Sequence, residues 1–244
     1  MSRRRMPIWL GWSLALATIA LFCGLGQWQL GRAKQKEAML AASQKVLTER
    51  TPLPLSSASD ARRAAEYDWT AGEGHFLAGP AILLDNQIRD GRVGVRAYRA
   101  FQPIEGAPLL VELGWLPVPG DRRLPDVPLP HGTQALRGLL VPPPSAGISR
   151  AMPVRQASGS LLATDLELES LTTALALPAL APRVLKLDPQ LSLGYARDLD
   201  ILPNTLPPER HLGYAVQWFG LALAVLVTAL VLTLRARRTR RNRQ

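Results

Sequence analysis

A single cysteine, Cys23, occurs in 244 residues. One thiol permits neither an intrachain disulfide, nor a Cys-x-x-Cys redox pair, nor a thiolate metal site. Met1, Met6, Met39 and Met152 are too scattered for a thioether copper site. Thiol-redox and copper-delivery roles are disfavoured accordingly. The chain also lacks a Gly-x-Ser-x-Gly elbow, a His-Glu-x-x-His pair and a Walker loop. Gly91-Arg92-Val93-Gly94 has none of the rest of a dinucleotide fingerprint. An enzyme is not expected, nor are copper, zinc or a nucleotide.

Charge is missing from two long stretches. Asp, Glu, Lys and Arg are absent from residues 6–31 and again from 211–234. Each stretch holds an apolar run, 8–26 and 214–234, of the roughly twenty residues that cross a hydrocarbon core as a helix. The chain divides into a basic tail 1–7, a transmembrane helix 8–26, a domain 27–213, a transmembrane helix 214–234 and a basic tail 235–244. Arg3, Arg4 and Arg5 precede the first run; Arg235, Arg237, Arg238, Arg240, Arg241 and Arg243 follow the second. Positive clusters stay cytoplasmic, so both termini are expected inside and the domain exported. The seven residues ahead of Ile8 leave no room for a transit peptide, which points to a bacterial inner membrane and a periplasmic domain. The first run is too long for a signal-peptide core, and bulky Gln27-Trp28-Gln29-Leu30 follows it where small residues would be cut. Phe22 directly before Cys23 fits a lipoprotein processing site poorly.

A net charge of +10 and a pI near 10.7 would ordinarily suggest nucleic-acid binding. The two tails carry nine of the 29 basic residues and none of the 19 acidic ones, leaving the domain close to neutral. The basicity is topological, and no nucleic-acid partner is expected.

Helix continues past the first run through 27–50, a proline-free stretch rich in Ala, Leu, Gln, Lys and Glu. Trp28 falls at the headgroup level, with Trp9 and Trp12 at the opposite interface. Residues 81–88, 93–101, 109–116, 134–141 and 183–187 read as strands, and Asp90-Gly91 joins the first two as a hairpin. Residues 69–77 are a weaker strand whose Gly72 and Gly74 suggest a bend or bulge. A helix is predicted over 165–177, N-capped by Asp165 and ended by Pro178. Proline-rich 117–130 and 141–153 read as loops. The expected fold class is α+β: two transmembrane helices flanking an exported, mainly antiparallel β domain, a small sandwich or open barrel with a peripheral helix.

His75 and His131 fit exposed positions better than ligand sites. His211 differs by its place. Pro207-Pro208-Glu209 resembles a helix start, so His211, Tyr214, Ala215 and Trp218 fall at i, i+3, i+4 and i+7 on one face entering the bilayer. A helix N-terminus and a low dielectric favour the neutral imidazole, the form that ligates iron. The same residues also make an interfacial anchor belt, and spacing alone does not separate the two readings. Gly24 and Gly26 on the first span, and Gly220 and Ala224 on the second, permit close helix approach.

Four blocks in order resemble the Surfeit locus protein 1 family, assembly factors of haem–copper cytochrome oxidases. Gly26-Gln27-Trp28-Gln29-Leu30-Gly31-Arg32 follows the first span. Leu84-Asp85-Asn86 leads into Gly91-Arg92-Val93-Gly94. Leu109-Leu110-Val111-Glu112-Leu113-Gly114-Trp115-Leu116-Pro117 forms the third. Pro208-Glu209-Arg210-His211-Leu212-Gly213-Tyr214 opens the fourth, which runs through Trp218. The resemblance implies a non-catalytic inner-membrane assembly factor that assists haem a insertion into, or retention by, subunit I of cytochrome c oxidase. Subunit I and haem a synthase are the implied partners and haem a the implied cofactor, with no metal site independent of haem. The second-span His associated with haem a in bacterial members matches His211. Trp28, Arg32, Gly114, Trp115, Tyr214 and Trp218 match motif positions, with Gly114 and Trp115 better suited to packing than to ligand contact. Glu112-Leu113 stands where Asn-Arg is usual, and Gln217 where Thr often occurs, so a partner role of that Asn-Arg pair does not carry over. The alternatives are a cofactor-free scaffold organising oxidase subunits and, less favoured, an exported hydrolase.

Overall fold

The computed structural model describes residues 7–144, 152–202 and 205–241, without the side chain of Arg240. Met1, Met6, the cluster Arg3, Arg4 and Arg5, residues 145–151 of the second proline-rich stretch, and Arg243 lie outside the described residues. The chain forms two compact units, Met1–Leu40 with Thr205–Gln244, and Ala41–Asn204.

Two long helices make the first unit. Helix α1 spans Ile8–Glu49 without a break, so the apolar run and the polar stretch after it are one element, as predicted. A short helix, α2 (Leu168–Ala174), belongs to the second unit, and α3 spans Pro208–Arg241. Both α1 and α3 are long and apolar enough to cross a membrane. Proline is absent from the interior of both helices.

The second unit is built on one nine-stranded sheet. Its strands are β1 (Leu53–Pro54), β2 (Asp68–Phe76), β3 (Ile82–Arg89), β4 (Arg92–Pro103), β5 (Leu109–Pro117), β6 (Thr133–Val141), β7 (Val154–Arg155), β8 (Leu161–Ala163) and β9 (Val184–Leu187). The order is β1-β2-β6-β9-β5-β4-β3-β8-β7, with β2 pairing β4 as well. That extra pairing closes β2, β6, β9, β5 and β4 into a ring, in place of the expected sandwich or open barrel. Closure leaves the two-residue strands β1 and β7 at the ends of the sheet, in place of long exposed edges.

Gly74 sits at the closure. It lies in the regular β2–β6 register and also opposes Pro103 of β4, so no bulge or bend occurs at Gly72 or Gly74. A Cβ at Gly74 would come within 2.1 Å of the Gln102 carbonyl oxygen. Register shifts lie instead at Asp85-Asn86 in β3, where Asn86 adopts φ 56°, and at Leu113 in β5, opposite Ala97 and Tyr98. Asp90 and Gly91, at φ 50° and 72°, form the predicted tight turn.

Helix α2 is shorter than predicted and begins later. Asp165 Oδ1 accepts from the Glu167 backbone N–H at 3.1 Å, making a turn ahead of the helix, so Glu167 takes the N-cap position. Ala176, at φ 53°, ends it with the Leu177 N–H donating back to the Thr172 carbonyl.

Phe76, Val95, Phe101, Val111, Leu113, Leu140 and Leu185 gather in one apolar core drawn from all five ring strands. The alternate positions are buried too, and there the sheet carries charge. Glu112 pairs across the strands with Tyr98 and Lys186. Its carboxylate accepts from Arg96 at 2.5 Å, from Lys186 at 3.3 Å and from Tyr98 Oη at 3.2 Å, all four residues being buried. Burial alone would raise the Glu112 pKa; Lys186 and Arg96 outweigh it and hold the carboxyl below its ordinary value. Arg183, fully buried, donates to Asp68 at 2.5 Å, and Arg63 donates to the same carboxylate. Burial opposes the Asp68 charge, but these hydrogen bonds lower its pKa.

Candidate functional site

The stripe along which α1 meets α3 contains the candidate site. On α1, Phe22, Gly26, Gln29, Ala33 and Lys36 recur at alternating steps of four and three, with Gly26, Ala33 and Lys36 buried. On α3 the matching series is His211, Ala215, Trp218 and Ala222, of which His211, Ala215 and Ala222 are buried. This 3.5-residue spacing keeps one face of each helix on the other. Small residues set the separation. A Cβ at Gly26 would meet the Phe219 ring at 2.8 Å, so a larger residue there displaces that ring, whereas Gly24 and Gly220 face open space. Phe22 and Trp218 stack in a tilted pair, ring centroids 5.5 Å apart.

His211 is 7% exposed. Its Nδ1 lies 2.7 Å from Gln29 Oε1. An amide oxygen only accepts, so Nδ1 carries the proton and donates. In the neutral ring this leaves the lone pair on Nε2. That atom is buried and has no hydrogen-bond partner among the described residues. Burial, and after it the charges of Lys36 and Arg32 on α1, lower the imidazole pKa and favour its neutral form. Lys36 is itself occupied, donating to the Leu206 carbonyl at the entry to α3. An oriented, neutral imidazole with an unengaged Nε2 suits an axial iron ligand, and the second-sphere amide fixing its tautomer is the arrangement metal-bound histidines use. A haem's imidazole ligand therefore has the donor chemistry it requires at this position.

The other sequence-derived candidates scatter. Trp218 lies on the packed stripe, but Tyr214 is 39% exposed and lies beside it. Trp28 is exposed, and Arg32 is exposed with its Nη1 donating to Gln35 Oε1 at 2.9 Å. Gly114 and Trp115 belong to the second unit, where they organise β5. Gly114 takes φ 122°, and Trp115 donates through its indole N–H to the Gln87 carbonyl at 2.9 Å and through its backbone to Ala196. His75 and His131 are exposed. Gln29, Lys36, Phe22 and Phe219 complete the stripe but were not singled out as site residues. Counting 3.5-residue steps forward along α1 from Gly26 reaches Gln29 and Lys36, but does not pair either of them with a residue of α3.

A model of the SURF1 family matches residues 16–223. A SURF1-like protein of Rickettsia felis is 25% identical over 225 residues, 88% of this chain and 92% of that one. A SURF1-like protein of Rickettsia conorii is 26% identical over 225 residues, 88% and 87% of the two chains. The cytochrome oxidase assembly protein SHY1 of Saccharomyces cerevisiae is 32% identical over 141 residues, 55% of this chain, which spans 36% of the yeast protein's length. Since the matched residues run from within α1, through the whole sheet, into α3, the chain belongs to the SURF1 family.

Proposed function

We propose that this protein is a membrane-anchored, non-catalytic assembly factor for haem–copper cytochrome c oxidase that assists haem a insertion into, or retention by, subunit I. The family and the assembly role named for the yeast relative support the oxidase reading. Two apolar helices and the arginine runs beyond them support insertion in a bacterial inner membrane, termini cytoplasmic and sheet unit periplasmic. Subunit I, and haem a synthase as a donor, are the partners of this reading.

One observation carries it: the buried Nε2 of His211, with no partner among the described residues while Gln29 holds the ring from its other side. His211 would hold a bound haem a through Nε2, and the iron would supply a site for an imidazole nitrogen. Gln29 fixes the tautomer; Lys36 and Arg32 discourage ring protonation. Trp218 and Phe22 stack on each other two turns further along the same stripe.

The test is the absorption spectrum of protein purified from cells that make haem a. His211→Ala should lose most haem a absorption, and Gln29→Ala should weaken haem affinity by about 10–100-fold. Equal haem content in wild type and His211→Ala would end the ligand role. The Gln29–His211 hydrogen bond joins the two helices, so a cofactor-free scaffold is the second reading. Full oxidase assembly in cells carrying His211→Ala, at normal membrane levels of the variant, would favour it.

A further inference from the structure

At the opposite end of the helix pair from His211, α1 and α3 part to leave a groove of about 580 Å³. It runs between the first turns of α1, through Gly11, Ala15 and Thr18, and the stretch of α3 from Leu221 to Ala236. Its hydroxyls are hydrogen-bonded within their own helices. Thr18 donates to its own helix at Leu14, and Thr228 does the same at Ala224. Trp12 Nε1 donates to Thr233 Oγ1 at 3.0 Å, joining the helices at this end. A Cβ built at Gly11 meets nothing within 4 Å. The threonine hydroxyls and the Trp12 indole N–H of the lining are all hydrogen-bonded, and the remaining walls are apolar, so the space suits hydrocarbon.

One end of the groove is strongly charged. Arg235 stands three residues beyond Leu232 of the lining, and Arg237, Arg238 and Arg241 are exposed on the turns around and after Ala236. No Asp or Glu occurs anywhere after Glu209 to neutralise them. From Leu221 to Ala236 the groove extends about 22 Å at ~1.5 Å per residue. That exceeds the roughly 15 Å of one leaflet's hydrocarbon, so an acyl chain fits along it with its headgroup at the arginines. We propose that this groove is a binding site for an anionic diacyl phospholipid, one chain lying between the helices and the phosphate held by the guanidinium groups of the 235–241 run. Charge decides the occupant. The arginines that set topology also stand beside the groove with no acidic residue after Glu209, and basic residues beside an interhelical groove select acidic headgroups, which a partner helix does not need.

The inference rests on the membrane-spanning reading of α1 and α3. Full-length protein is reconstituted in nanodiscs of phosphatidylglycerol and phosphatidylcholine in equal parts, then released into detergent, and retained phospholipid is measured by native mass spectrometry. Phosphatidylglycerol should be retained preferentially. Arg235→Gln with Arg237→Gln and Arg238→Gln should lower its retention about five-fold or more and leave phosphatidylcholine unchanged. Gly11→Leu with Ala15→Leu, which fills the groove, should lower both. Retention in the bulk ratio, or retention unaffected by filling, would overturn the site. So would a photo-crosslinker at Thr228 that captures protein and not lipid. Membranes washed in alkaline carbonate separate the two readings. Release of the wild-type protein defeats membrane spanning, while carbonate-resistant protein without lipid preference defeats only the groove.

Discussion

Single residues explain where this chain departs from the motif it otherwise matches. Glu112 and Leu113 stand where Asn and Arg are usual, and both are buried on opposite faces of β5. Leu113 joins the apolar core, while Glu112 neutralises Arg96 and Lys186. Neither side chain is on the surface for a partner. Glu112→Ala would leave two buried cations facing each other, and a loss of about 3–5 kcal/mol is expected. Leu113→Ala, which only opens a cavity, should cost about 2–5 kcal/mol. Denaturant melts of the full-length protein check both, and an unchanged midpoint for Glu112→Ala would show that the cluster does not hold the sheet. His211 could be picked out from the sequence because of its place ahead of an apolar run. Its partner Gln29 could not, because 182 residues separate them and nothing local marks an amide as the second half of a pair.

At the scale of elements, the strands with their own punctuation were legible. Asp90-Gly91 demands a turn, and the apolar runs on either side are long enough to show their period. Strands β1, β7 and β8 hold two or three residues each, too few for alternation to appear. Helix α2 lost its first turn because Asp165 satisfies a backbone N–H in a local turn before the helix starts. Gly74 was misread for a related reason. Glycine in a strand marks either a bulge or a close backbone approach, and only the β2–β4 pairing decides which. Gly74→Ala should therefore destabilise by about 3 kcal/mol, read as a shifted melt. In the helix pair, Gly26→Leu drives a side chain into Phe219. With cysteines replacing Phe22 and Trp218 in a Cys23→Ser background, oxidative cross-linking should be efficient and should fall several-fold when Gly26→Leu is added. Undiminished cross-linking would mean the helices do not depend on that contact.

For the whole molecule, charge distribution and acid sensitivity give two further expectations. Protease added to spheroplasts should cut within residues 41–204 and spare the arginine-rich tails; cleavage of that unit in inverted vesicles instead would reverse the proposed orientation. Asp68 and Glu112 both have folded pKa values below their unfolded ones. Their stabilisation is complete above about pH 4–5 and is lost as pH falls through the folded values. Melting temperature should be flat with respect to these groups near neutrality and fall below that range. The Asp68→Asn and Glu112→Gln variants should show a weaker acid dependence.

Strand β9 has a temporal consequence. It lies parallel to β5 and antiparallel to β6, between two strands synthesised well before it. Until Leu187 has emerged, β5 and β6 each present a row of backbone donors and acceptors with nothing to receive them. A polypeptide stopped just short of Val184 would retain eight of the nine strands and still be unable to seal its own perimeter. Late nonsense mutations should accordingly yield aggregates and proteolysis, not a nearly intact product.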